Sequence, residues 1–251
     1  MSRMITIVGT AHVFDLSSVI TQILEEKQPE IICVELDNQR YQALLRKHLD
    51  LEKSRGISLL YKLLASVQEK LAREYGVTPG EEMLTAIRYA ERHQLPISLI
   101  DMDAKKIFTR LLEEMSFREK LRLALSGILG FLIGRRQVEK ELELIEGDID
   151  RFMREMNKKF PTVKRILVDE RNQFMANKLV EVSKEYERII AVVGEGHIPG
   201  LLRLLRDEDL EVEAIHLPEI RRMKLNGDPS TYSFTVNQEI PQHIDLKNSV
   251  E

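Results

Sequence analysis

The chain has one cysteine and no tryptophan in 251 residues. A lone thiol, Cys33, excludes an internal disulfide framework. Its place inside the apolar run EIICVEL predicts a small buried hydrophobe, not a nucleophile. No charge of one sign dominates: 37 Lys and Arg stand against 41 Asp and Glu, for a net charge of −4. That balance excludes nucleic acid as the main partner, because phosphate binding needs a concentrated basic surface. The basic clusters GRRQVEK and EIRRMK are interleaved with acids and apolar side chains and read as solvated faces.

Long apolar runs are missing too. The longest, LRLALSGILGFLIG from Leu121 to Gly134, contains Arg122 and interior glycines. It falls short of the roughly 20 apolar residues that a spanning helix needs. The opening MSRMITIVGT leads straight into a strand without the long apolar region of a secretory leader. The expectation is a soluble protein of cytoplasmic type.

What is present is a chain that is 43% apolar and 31% charged, enough for a real core under a solvated surface. Apolar runs of strand length (MITIVG, EIICVEL, PISLID, RIIAVVG, EVEAIHL) alternate with segments whose apolar residues recur at helical spacing. Those segments are DLSSVITQILEEK, QRYQALLRKH, SLLYKLLASVQEKLAREYG, TPGEEMLTAIRYAERHQ, DERNQFMANKLVEVSKEY and one through IPGLLRLLRD. Asp15, Thr78 and Asp169 stand where N-caps belong. The rhythm predicts a single α/β domain over residues 1–218, with a central mostly parallel or mixed sheet flanked by helices. Between about residues 105 and 159 it breaks into leucine-rich and charged helical stretches, which read as an insertion. Residues 219–251 read as a polar C-terminal tail, loose or forming a short added strand.

In open α/β sheets ligands bind beyond the carboxyl ends of the strands. The first strand ends at Gly9 and delivers His12; the second delivers Glu35, then Asp37 and Arg40. The third delivers Asp101 and Asp103, and the fourth ends at Gly194 and delivers Glu195 and His197. Gly9-x-x-His12 and Gly194-x-x-His197 thus repeat one spacing at two strand ends. Imidazole and carboxylate groups converging on one rim suit a divalent ion such as Mn, Co or Zn. The glycines let the backbone approach a ligand without a Cβ in the way. Each residue also has a plainer reading. Either histidine alone serves as readily as a cap or a hydrogen-bonded core group. Glu35 could pair with Arg40, Asp101 and Asp103 could cap the next helix, and Glu82 could complement a helix dipole. His48, His93, His216 and His243 read as ordinary.

With those residues in view, the chain resembles the TraB/PrgY family, the pheromone-shutdown group that is similar to the Tiki proteases. The resemblance rests on six blocks in order: GTAH, VELDNQRY, GEEMLTAI, LIDMD, VDERNQFMA and VVGEGH. It implies the erythromycin-esterase and haem-transport-lipoprotein type of fold, with a long helical insertion, and a metal-dependent peptidase activity. Carried over residue by residue, it marks His12 and His197 from the paired motifs and Glu35 from VEL. It also marks Glu82, Asp101, Glu170 and Arg171 from GEEM, LID and DER. Many bacterial and archaeal relatives of that group continue into C-terminal membrane-spanning helices, whereas these residues end in a polar stretch.

The resulting expectation is an amide hydrolase acting on peptides. His12, His197 and Glu35, with Asp101 and Glu170 as further candidates, would hold the ion. Glu35 would serve as general base, and Arg40 or Arg171 would bind substrate carboxylate or oxyanion. Gly9, Glu82, Asp103, Gly194 and Glu195 would line the substrate or support the ligands. A metal-free acid/base hydrolase is one alternative and a peptide-sequestering module another. The ILGFLI segment offers a lid, a groove for apolar side chains, a hairpin core or a homodimer contact.

Overall fold

The computed structural model describes residues 3–11, 16–48, 80–123 and 149–226. His12, Asp15, Thr78, the helix expected from SLLYKLLASVQEKLAREYG, the ILGFLI segment, His243 and the tail beyond Asn226 lie outside the described residues. Five strands form one sheet: β1 (Met4–Thr10), β2 (Ile31–Val34), β3 (Ile97–Leu99), β4 (Arg188–Gly194) and β5 (Glu211–Ile215), in the order β3-β2-β4-β1-β5. Every pairing is parallel. The fold is therefore α/β, as the strand–helix alternation implies.

Helices cover both faces, which is why β2 and β4 read as unbroken apolar runs. α1 (Ser17–Lys27), α3 (Glu81–His93) and α9 (Leu217–Asn226) pack Ile20, Ile87 and Ile220 against Val8, Ile32, Ile190 and Val192. On the opposite face α7 (Glu170–Val182) and α8 (Ile198–Leu205) pack Met175, Leu179, Leu201 and Leu205 against Ile5, Ile7, Ala191 and Val193. Neighbouring residues of β4 alternate between the two cores, the period of two that a pleated strand imposes. Cys33 is fully buried, and loss of hydration pushes its thiol up to about 12, so the thiolate is suppressed.

Helix ends follow local chemistry. α1 and α3 close on left-handed Gln28 and Gln94, whose N–H groups return to Leu24 and to Ala90 and Glu91. At their starts the positions just before the helices carry no side-chain cap. Leu16 holds the cap position of α1, and Gly80, at φ 83°, holds that of α3. Asp103 does cap α4 (Ala104–Glu114), accepting from Lys106 N at 2.9 Å. Asp37 bonds Gln39 N and Arg40 N at 2.8 and 2.9 Å, closing the start of α2 (Asn38–His48).

Within the expected insertion, α4, residues 117–123 and α5 (Ile149–Lys159) are helical, with no strand among the described residues of that range. Ser116 and Glu119 form a reciprocal capping box, and Glu119 also binds Thr162 N at 2.8 Å. This ties the segment to α6 (Pro161–Lys164). Asp169 is no N-cap. A π turn (Arg165–Asp169), with Glu170 N–H bonding Arg165 O, carries the helix straight through it, and Lys164 binds its carboxylate. A wide turn of this kind inserts one residue and resets the phase of everything after it. Here it sets which way Arg171 and Asn172 point. After Pro218 the chain is helical through Asn226, not a loose tail or strand. Proline is tolerated there because the first turn has no intrahelical partner for its missing N–H.

Candidate functional site

The carboxyl ends of the strands line up in sheet order, and so do their polar side chains. Asp101 follows β3, Glu35 follows β2, Gly194 and His197 close β4, Gly9 and Thr10 end β1, and His216 follows β5. β4 and β1 are adjacent at the centre, paired through Thr10 and Gly194. The two Gly-x-x-His motifs therefore start from neighbouring positions on one rim.

Glu35 is the hub. Its Oε2 accepts the Gly194 N–H at 2.6 Å, and its Oε1 faces both Arg171 Nη2 and, at 3.3 Å, His197 Nε2. Arg171 also forks onto Asp101, with Nε to Oδ1 at 2.9 Å and Nη2 to Oδ2 at 2.6 Å, while Nη1 binds Leu167 O. Asp101, whose side chain is 0% exposed, takes a second guanidinium from Arg40, which in turn binds Asp37. Glu35 thus pairs with Arg171, and Arg40 bridges Asp37 to Asp101. Bidentate guanidinium–carboxylate contacts of this kind fix geometry as well as charge.

Burial alone would raise the Glu35 carboxyl, but His197 and Arg171 outweigh it and hold the group well below the usual carboxylate range. Asp37 is likewise held low, its backbone and guanidinium bonds overcoming burial, and both arginines are pushed up by their carboxylates. A depressed carboxyl stabilises the fold fully above its ordinary value, 4.5, and loses that contribution as pH falls below it. We expect the free energy of unfolding to drop steeply below that pH in the wild type. Glu35→Gln should show a shallower slope in urea titrations over the same range, and equal slopes would contradict the assignment.

His197 Nδ1 lies 2.6 Å from Asn172 Oδ1 and donates to it, which turns Nε2 toward the Glu35 carboxylate. At 3.3 Å the two atoms are held by a proton on Nε2, and a small cation could take that proton's place. Glu35, Asp37 and Asp101 meet the guanidiniums of Arg40 and Arg171, with the His197 imidazole beside Glu35. The pair fits a small cation as two of its donors. Among the described residues no three His, Cys, Asp or Glu groups converge as a complete metal set, and His12 lies outside them.

The other expected residues divide. Glu195 reaches across the end of β1. A Cβ on Gly9 would collide with its Oε2 and lie 2.6 Å from Ile198 Cδ1, so any other residue there would displace the Glu195 carboxylate from its present place. Glu82 is buried in the first turn of α3. Glu170 turns away from the Glu35–His197 pair and binds Arg110 at 2.6 Å and Arg165 at 2.6 Å. Asp103 caps its helix and takes a 3.3 Å bond from Gln39. Sequence reasoning missed Asn172, 25 residues from the histidine it orients, since nothing local links them. It also passed over His216, which is bonded to Glu195 at 2.7 Å.

The sequence profile of the TraB/PrgY/gumN family matches residues 2–214, which span both Gly-x-x-His motifs, Glu35, Asp101 and Arg171. The chain belongs to this family. It is 34% identical to an uncharacterized protein of Methanocaldococcus jannaschii, with 88% of this chain and 58% of that protein covered. It is 29% identical to the TraB domain-containing proteins of Homo sapiens and Bos taurus, covering 78% of this chain and 61% and 60% of theirs. The chain spans about three-fifths of the length of the curated relatives it matches. No helix of this TraB-family chain, among its described residues, is long and apolar enough to cross a membrane.

Proposed function

We propose that the rim is the catalytic site of a metal-dependent hydrolase that cleaves amide bonds in peptides. The observation that carries this reading is His197, its Nδ1–H fixed by Asn172 and its Nε2 turned toward the Glu35 carboxylate 3.3 Å away. A ring held by its second nitrogen is the usual arrangement of a ligating histidine. His197 and Glu35, joined by His12, would hold the ion, which supplies a bound water of lowered pKa and polarises the scissile carbonyl.

The protein's own groups do the rest. Arg171 keeps Glu35 anionic and in place. Arg40, the more open of the two guanidiniums at 26% exposure against 14%, offers a donor fork to a substrate carbonyl or carboxylate. The reading gives Glu35 the ligand role and not the base role expected from sequence. A carboxylate whose two oxygens are already bonded, and whose pKa is strongly depressed, is a poor proton acceptor at neutral pH.

Metal content of the purified protein tests this, measured in the wild type and in His12→Ala, His197→Ala and Glu35→Gln after exposure to Mn, Co or Zn. Near-stoichiometric metal, lost in the histidine variants, is expected, together with turnover in a peptide-library screen that Glu35→Gln abolishes. No uptake at micromolar metal would sink the metal-dependent reading. Peptide binding without turnover would replace hydrolysis by sequestration on the same rim.

A further inference from the structure

The proposed hydrolase lacks a base, because Glu35 is bonded to Arg171 and Gly194 and would hold the ion. A second carboxylate–imidazole pair stands at the other end of the same rim. Glu195 leaves β4, crosses over Gly9 and meets β5's last turn, where its Oε1 binds His216 Nδ1 at 2.7 Å and its Oε2 accepts Leu217 N–H at 2.9 Å. The carboxylate is 14% exposed and the imidazole 37%. Glu195 therefore holds the Nδ1 edge of a half-open ring that follows the carboxyl end of β5.

We propose that His216 is the general base and acid of the hydrolysis, with Glu195 as its positioning residue, a role that rests on the hydrolase reading. β4 and β5 flank β1, so their ends are about 10 Å apart. That span matches the length of a base, a water and a carbonyl group in hydrogen-bond series. His216 Nε2 takes a proton from water while the water oxygen bonds to the amide carbonyl carbon. The C–N bond then breaks, and the imidazolium returns that proton to the departing amine, leaving acid and amine products.

Among the described residues, the charged groups facing His216 are Glu195 from the turn after β4 and Glu219 on α9; Gly9 to Ala11 at the end of β1 carry no charge. The bond to Glu195 raises the imidazole above its ordinary value against the opposing effect of burial. Its base form consequently fails at a higher pH than a free histidine's would.

Two readouts on the full chain test the assignment. The pH dependence of carbethoxylation at His216, followed by peptide mass spectrometry, should have a midpoint that falls in Glu195→Gln. That variant keeps an oxygen acceptor for Leu217 N. Hydrolysis should lose roughly 100-fold or more in kcat in His216→Gln with little change in KM. In Glu195→Gln the acid limb of the pH–rate profile should move to lower pH, which loss of packing alone would not do. An unmoved midpoint, or His216→Gln turning over at the wild-type rate, overturns the proposal and leaves the hydrolase reading standing. A wild type that shows the expected midpoint yet cleaves no library peptide overturns the hydrolase reading, and this role with it.

Discussion

Arg171→Leu should destabilise the protein by about 3–5 kcal/mol, because it strands two buried carboxylates at once. Arg171 is 14% exposed and meets Glu35, at 12%, and Asp101, at 0%. Its replacement is apolar and of similar reach, so the loss reports charge, not volume. For a chain of this size that corresponds to a fall in Tm of roughly 6–20 °C. Arg171→Lys should recover little, since a point charge cannot fork onto Asp101 while reaching Glu35. Adding Asp101→Asn to Arg171→Leu should restore part of the loss by removing one stranded charge, although Arg40 then loses a partner. Thermal and urea unfolding of the three variants decide the matter. A near-neutral Arg171→Leu would mean that water or Arg40 satisfies both acids without it.

Gly200→Ala should destabilise where the general rule predicts the reverse. Within a helix, alanine is ordinarily favoured over glycine by about 1 kcal/mol. At Gly200 in α8, however, an added Cβ would collide with Asn172 Nδ2 and lie 2.8 Å from Asn172 Cγ. The side chain it would displace is the one that fixes His197 Nδ1 at 2.6 Å. Overpacking of this kind costs about 1–3 kcal/mol. If His197 is a metal ligand, as proposed, losing its partner costs on the order of 10–100-fold in metal affinity or activity. A double-mutant cycle separates the two effects. Gly200→Ala with Asn172→Ala should regain stability, because the clash is gone, yet remain functionally impaired, because His197 is still unheld. If Gly200→Ala melts at or above the wild-type temperature, α7 and α8 are not packed as described.

The sequence by itself determined the alternation of strands and helices, the helical character of the described parts of residues 105–159, and the placing of His197, Glu35 and Asp101 at strand ends. Those features depend on periods of 2 and 3.6 and on turn chemistry, all of which operate over a few residues. It also carried the family, because six short blocks in fixed order survive as a pattern even where each alone is weak. α9 escaped it: polar residues after Pro218 read as a tail, and the apolar contacts of Ile220 and Met223 that hold the helix come from α1 and the sheet.

Only the tertiary structure decided the strand order, and with it which charges meet. EIICVEL gives no sign that Glu35 lies beside β4 and accepts Gly194 N–H from 159 positions away. Arg171 answers two carboxylates, 136 and 70 residues distant, because a π turn sets its phase and the β3-β2-β4 order brings those acids together. Glu195 finds His216 for the same reason, since β1 separates their strands by one narrow glycine. Ionic and hydrogen-bond partners are chosen by proximity in space, which a local pattern does not encode. Sequence named most of the groups on this rim, and the sheet assigned them their partners.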